Sequence, residues 1–319
     1  MEFFAHARSA LKFGLEIQRF NKEKFILIPA FICEAVMQPF RELGLKVKFY
    51  EINENFQPRW DDLQKLCNDY PCQAILMNHY FGIPQKIDEF MDFAHFNNLF
   101  IIEDNAHGFG ASYRSRLLGT FGDIGILSPR KTLFLPSGAI LYQNSKIVEP
   151  KNLPQYRTFL GEVIIRRVVK NNPKIKISLN YLRNSIDFDN PAHSNEKNIT
   201  SMKADTYSSS IIEGNLKKEN LSIVQRLQMK KWDLCMKEIL SLGLKPAISS
   251  ISEGASPWLF PVRIENQCDR NKLFKLNKKK NFVIITWPNL PPELICQQHP
   301  CINIWKGLSF VDLTYRLQK

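Results

Sequence analysis

Residues 99–111 read LFIIEDNAHGFGA. Leu99, Phe100, Ile101 and Ile102 form an unbroken apolar run. Such a run predicts a strand buried on both faces, because a strand with one wet face alternates apolar and polar residues. Two carboxylates, Glu103 and Asp104, close the run, His107 follows within one turn, and Gly108 and Gly110 come next. Carboxylates at the end of a buried strand lose hydration, so each must face a partner.

The same grammar extends outward from this stretch. KFILIP, KVKFYEI and CQAILMNHY read as strands, and RSALKFGLEIQRF, CEAVMQPFRELG, RWDDLQKLCNDY and KIDEFMDFAHFNN as helices between them. This alternation predicts an α/β fold with a central, mostly parallel sheet flanked by helices. Ligands of such sheets sit beyond the carboxyl ends of the strands, which puts Pro29, His79 and Asp104 on one rim. After Tyr142 the pattern changes. Residues 145–205 are polar and rich in Asn, Lys and Pro, with one helical piece around FLGEVIIRRVVK. A long amphipathic helix, NLSIVQRLQMKKWDLCMKEILSLG, and the strands WLFPVRI and FVIITW then predict a smaller unit. The expected organisation is a large α/β domain over 1–214, containing the irregular segment 145–205, and a small C-terminal α+β domain over 215–319.

With 319 residues, 44% of them hydrophobic, the chain has enough apolar material for a large core. No run approaches the roughly 20 apolar residues of a membrane span, and the start has no signal-peptide layout. A cytoplasmic protein without a membrane partner is expected. The seven cysteines are scattered, odd in number and form no CxxC pair, which points to reduced thiols and no metal site. The net charge is +12, with basic clusters at RRVVKNNPKIK (166–176) and NKKKN (277–281). Neither cluster is interleaved with stacking aromatics, so no nucleic-acid partner is expected. A solvated basic face, or an anionic small-molecule substrate, suits this charge.

Three chemistries are open to Asp104: a metal, a ribose or dinucleotide, and a cationic heterocycle. In the dinucleotide fingerprint, Tyr113 stands where the third glycine is needed, and the glycines follow the acid instead of preceding it by about twenty residues. A metal would find only His79 and His107 on the rim. The third option gains from GTFGDIGILSPRKTLFLPSGAILY, 119–142, which places Ser128 and Lys131 beside a strand end. Pyridoxal phosphate chemistry needs an amine that bonds covalently to the cofactor aldehyde. It also needs a carboxylate that keeps the pyridine nitrogen protonated. Phosphate would sit at a helix N-terminus beside a hydroxyl, roles open to the start of RSALKFGL and to Ser128. By themselves these residues leave a solvated lysine and a helix-capping aspartate, the usual cases, open.

In this order, the pieces resemble the DegT/DnrJ/StrS-type sugar aminotransferases, a branch of the fold-type I pyridoxal phosphate enzymes. IIEDNAHGFGA is similar to the family's E-D-x-A-[QH]-x-x-G-A segment, GTFGDIGILS to its G-x-x-G-D-I-G and serine, and RKTLFLPSGA to its lysine and glycine turn. ARSAL resembles the phosphate-cradling segment, and NHYFGIPQKIDEF the H-x-x-G-x-P segment; SPWLFPVRI and TWPNLP resemble parts of the small domain. The resemblance implies that Lys131 is the covalent lysine and proton shuttle and that Asp104 pairs with the pyridine nitrogen. It implies that His107 contacts the ring or its hydroxyl, and that Ser128 holds phosphate with the amides of Arg8 and Ser9. Amino transfer from glutamate to a nucleotide-linked keto-sugar, in polysaccharide or glycan biosynthesis, is the implied activity, with a homodimer as the implied assembly. Relatives with histidine in place of the lysine are dehydratases, so Lys131 favours transamination. A non-catalytic, cofactor-binding relative with a scaffold or regulatory role is the alternative.

The chain departs from the pattern at several points. Lys131 comes three residues after Ser128, where the family has five, although the seven-residue step to Gly138 is kept. Cys33 occupies the position of a ring-stacking aromatic, and TYSSS (206–210) stands where the family often lends a segment across the dimer. The chain also begins almost at the phosphate segment, without the family's N-terminal arm.

Overall fold

The computed structural model describes residues 1–133, 135–145, 147–148, 153, 160–182, 187–192, 220–280 and 282–315. The TYSSS segment and the expected 214/215 domain boundary lie outside the described residues.

In chain order, the first part comprises β1 (Glu2–Phe4), α1 (Ala7–Gln18), β2 (Phe25–Pro29), α2 (Glu34–Glu42), β3 (Lys46–Tyr50) and α3 (Trp60–Asp69). Next come β4 (Cys72–Asn78), α4 (Ile87–Phe96), β5 (Phe100–Asn105), a hairpin of β6 (Ser112–Tyr113) and β7 (Arg116–Leu117), β8 (Ile124–Leu127), α5 (Pro129–Leu133) and β9 (Ala139–Gln143). These strands build a sheet in the order β1-β9-β8-β5-β4-β2-β3. The block from β3 to β8 is parallel; β9 runs antiparallel to β8, and β1 antiparallel to β9. The α/β fold expected from the alternation is therefore present. Apolar cores cover both faces: Ile26, Ile28, Leu76, Ile102 and Ile124 pack beneath α1 and α2, while Leu27, Ile75, Met77 and Ile101 face the other way. This alternation along each strand follows from the two-residue period of β structure.

The opening stretch forms the middle of this sheet. In the register of β5, Asn78 lies opposite Asp104, and Asp104 opposite Ile126, which aligns three strand ends on one rim. The 119–125 segment locks β5 in place. Asp123 accepts the Ile101 N–H through Oδ2 at 2.8 Å. At Gly125 the Gly119 carbonyl approaches so closely that a Cβ would lie 1.8 Å from its oxygen, so only glycine fits.

The segment expected to be irregular holds two helices in its described part, Leu160–Asn171 and Pro173–Leu182. The first matches the helical piece read in the sequence, but the second was hidden by its Asn and Pro. Pro173 opens that helix, where its missing N–H costs nothing.

A second, antiparallel sheet has the order β10-β11-β13-β12, with β10 Lys245–Pro246, β11 Leu259–Arg263, β12 Ile284–Ile285 and β13 Leu308–Asp312. The helix Leu221–Ser241 is capped by Asn220, whose Oδ1 accepts the Ser222 N–H, and it buries Trp232, Cys235 and Ile239 against this sheet. The two sheets share a core. Phe31 stacks on Trp287 with ring centroids 4.8 Å apart, and Phe81 packs on Phe310 at 5.3 Å. Backbone bonds join them as well: Trp258 N–H donates to the Phe81 carbonyl at 2.7 Å and Ser256 N–H to the Gly82 carbonyl at 3.0 Å. Gly82 has φ +94°, and a Cβ there would meet the Ser256 carbonyl oxygen at 2.4 Å.

Candidate active site

The two adjacent carboxylates point to opposite faces of β5, and their surroundings differ accordingly. Glu103 is fully buried. It accepts His79 Nε2–H at 3.0 Å and the backbone N–H groups of Gly119, Phe121 and Gly122 at 2.5, 2.7 and 2.9 Å. His79 Nδ1 accepts the Gln85 N–H, which places the ring proton on Nε2. Burial disfavours the Glu103 charge, but the His79 bond and the amides outweigh it and hold the carboxyl below its usual range. Glu103 thus fastens the 119–122 loop to the scaffold.

Asp104 turns to the rim. Its Oδ1 accepts the Ala106 N–H at 2.8 Å. Burial raises its carboxyl above the ordinary range, against the opposing pull of that N–H and of the Lys131 ammonium. Asp104 lines a cavity of about 270 Å³ together with Arg8, Asn78, His107, Ser128 and Lys131. Five of the six sequence-predicted site residues therefore meet in one place, although they come from three separate stretches of chain.

The His107 ring is neutral, because burial and the neighbouring Lys131 ammonium drive its pKa well below the ordinary value. Its Nδ1 accepts the Phe81 N–H at 3.3 Å, which leaves the proton on Nε2. Ser128, at the end of β8, is buried, and its hydroxyl has no hydrogen-bond partner among the described residues. Lys131 sits one turn further along α5, its N–H donating to the Ser128 carbonyl at 3.0 Å. The short Ser-to-Lys spacing is thus taken up by a single helical turn, and both residues reach the cavity.

Ser9 is the exception. It does not line the cavity, and its N–H donates to the His6 carbonyl at 3.1 Å within the first turn of α1. Cys33 does line it, while Phe31 is drawn away into the core beneath Trp287. The aromatic surface instead comes from the second sheet: Trp258 and Trp287 line the cavity and lie 4.8 and 5.5 Å from the His107 ring. Asp312 and Thr314 enter from the same side. Sequence reasoning noted both tryptophan segments without assigning either residue to the site. Their position next to strand ends was the available signal.

Arg8, Arg130 and Arg166 also line the cavity, gathered near His6. Burial, together with these three guanidinium charges, lowers the His6 pKa from 6.5 to about 4. The cavity thus has a strongly cationic side.

Comparison with known proteins agrees with this geometry. Residues 4–157 match the DegT/DnrJ/EryC1/StrS aminotransferase family. GDP-perosamine synthase of Escherichia coli O157:H7 is 28% identical over 174 residues, 51% of this chain and 47% of the relative. The match thus covers about half of that relative's length, and less of other curated relatives. Among solved structures, a DegT DnrJ EryC1 StrS aminotransferase from Brucella abortus superposes with TM-score 0.66 and 14% identity, over 98% of this chain and 80% of that one. E. coli GDP-4-keto-6-deoxy-D-mannose-3-dehydratase, solved with bound hydrated PLP, superposes with TM-score 0.62 and 16% identity, over 97% and 82%. These two likenesses establish the fold, that of the fold-type I pyridoxal phosphate enzymes. Residues 4–157, with the rim motif of Asp104 and Lys131 inside the match, are thus similar to the DegT/DnrJ/EryC1/StrS aminotransferase family.

Proposed function

We propose that the chain is a pyridoxal phosphate-dependent aminotransferase that moves an amino group from glutamate to a keto group on a nucleotide-linked sugar. The observation that carries this reading is the meeting of Asp104, His107, Ser128 and Lys131 in one cavity. A buried hydroxyl without a partner among the described residues, a carboxylate, a neutral imidazole and a primary amine fit a phosphorylated aromatic aldehyde. When bound, that cofactor supplies a carbonyl for the amine and a ring that takes up the electron pair released at the substrate carbon.

The chain's own residues have separate tasks. Asp104 holds the proton on the ring nitrogen by its negative charge. His107 offers its Nε2–H to the ring hydroxyl oxygen. The Ser128 hydroxyl and the start of α1 at Arg8 hold the phosphate; the Ser9 N–H is already committed to His6. Neutral Lys131 takes the proton from the substrate carbon and returns it on the other side of the transfer. Trp258 and Trp287 cover the site and exclude water.

Two further features support a nucleotide-sugar acceptor. The arginine wall suits a diphosphate, which guanidinium groups bind through paired hydrogen bonds. The relatives named above act on GDP-linked sugars according to their names. A role in glycan biosynthesis follows from that substrate class. Ile164, Ile165 and Val168 on the helix Leu160–Asn171 are 55, 65 and 48% exposed, an apolar stripe that suits a second copy of the chain, so a homodimer belongs to the same reading. The seven cysteines form no disulfide with one another, which suits the reducing cytoplasm.

The test is covalent trapping. The protein is incubated with pyridoxal phosphate, reduced with borohydride and mapped by mass spectrometry. One adduct is expected, on Lys131, absent in Lys131→Ala and lost when glutamate is added before reduction, with 2-oxoglutarate released. No adduct on Lys131 would overturn the cofactor assignment. An adduct indifferent to glutamate would point to a relative that binds the cofactor without amino transfer.

A further inference from the structure

We propose that Trp258 and Thr314 are positioning residues that hold Lys131 from the second sheet, one at its amine and one at its backbone. The inference rests on the reading of Lys131 as the cofactor lysine. Lys131 belongs to α5, a helix of five residues, and so short a helix is marginal without tertiary support. Thr314 supplies that support. Its hydroxyl donates to the Lys131 carbonyl oxygen at 2.8 Å, and its oxygen accepts the Trp258 Nε1–H at 2.9 Å.

The Trp258 ring in turn lies 4.6 Å from Lys131 Nζ, within the roughly 6 Å reach of a cation–π contact. A closed circuit results: Lys131 backbone to Thr314, Thr314 to the indole edge, and the indole face to the Lys131 amine. The ring is held from its own backbone too, since Leu313 N–H donates to the Trp258 carbonyl at 2.9 Å. Both ends of the lysine are therefore referred to the β11–β13 side of the molecule, while the groups it serves, Asp104 and His107, stand on the β5 side. The contact lets the ammonium rest on an aromatic face inside the cavity until an aldehyde takes the amine. The other charged or titratable groups around this cavity are Asp104 at the end of β5 and His107 after it, Asp312 on β13, His6 and Arg8 at α1, Cys33 before α2, Arg130 on α5, and Arg166. All of them are unchanged in the variants below.

The experiment uses the full chain without cofactor. Lys131 is labelled by a brief pulse of an amine-acylating reagent across a pH series, and its peptide is quantified by mass spectrometry. Loss of the aromatic face removes an attraction for the ammonium, so Trp258→Leu is expected to lower the labelling midpoint by about one pH unit, tenfold in proton affinity. Trp258→Phe keeps a ring face and is expected to stay close to the parent. In a separate measurement, Thr314→Val is expected to slow borohydride trapping of pyridoxal phosphate about tenfold, and Thr314→Ser to restore the parent rate. A midpoint that stays or rises in Trp258→Leu, or a Thr314→Val chain that traps like the parent, overturns the proposal. Failure of the cofactor reading looks different: the parent chain would trap no cofactor at Lys131, while the labelling shift would still appear.

Discussion

His6 shows how much a single side chain is ruled by its neighbours at this site. It precedes α1 and shares the cavity wall with Arg8, Arg130 and Arg166, and burial plus these charges keep its ring neutral down to about pH 4. An unfolded chain takes up the same proton near pH 6.5. The folded form therefore carries its full stability above about 6.5 and loses it as the pH falls towards 4. Thermal unfolding midpoints are expected to drop across that interval, and His6→Asn, which cannot titrate, is expected to flatten the drop. At this same scale the sequence was most readable. Asp104 and Lys131 stand out because acids at buried strand ends and lysines after apolar strands are locally conspicuous. Ser9 was misplaced because the sequence does not show which amide of a first helical turn the preceding carbonyl will take.

At the scale of elements, β5 is held by a network that serves as scaffold. Glu103 gathers one imidazole and three backbone donors, and Asp123 anchors the other end of the strand through Ile101. In Glu103→Gln the single carbonyl oxygen cannot serve both Gly119 and the Phe121–Gly122 pair, and the new amide faces donors. A loss of about 3 kcal/mol is expected, since buried donors are left unmade and charge-assisted bonds are removed. A lower urea midpoint with an unchanged m-value would be the signature. The parity of a strand announces that Glu103 and Asp104 face opposite ways. Which of the two faces is the rim depends on where α1, α2 and the second sheet pack.

For the whole molecule, the consequential feature is that the cavity has walls from both sheets. Trp258, Trp287, Pro288, Asp312 and Thr314 close a site whose other lining residues come from the first 166 positions. The apolar stripe of Ile164, Ile165 and Val168 lies on a helix that also contributes Arg166 to that cavity. If a second copy covers the stripe, assembly and site are neighbours. Light scattering is expected to give twice the chain mass, and Ile165→Glu, which places a charge in the stripe while leaving the buried core untouched, is expected to give the single-chain mass.

The sequence by itself determined the parallel sheet, the rim on which Asp104 stands and the order in which Ser128 and Lys131 follow. Periodicity, turn chemistry and chain direction are local properties, and they survive in a string of letters. Only the tertiary structure decided that Ser9 stays behind the cavity wall, that Phe31 is given to the core, and that two tryptophans replace it beside His107. It also joined Thr314 to a carbonyl 183 positions away. Contacts of that separation depend on how two sheets dock through a shared apolar core, and docking is set by the summed shape of many side chains and not by any motif.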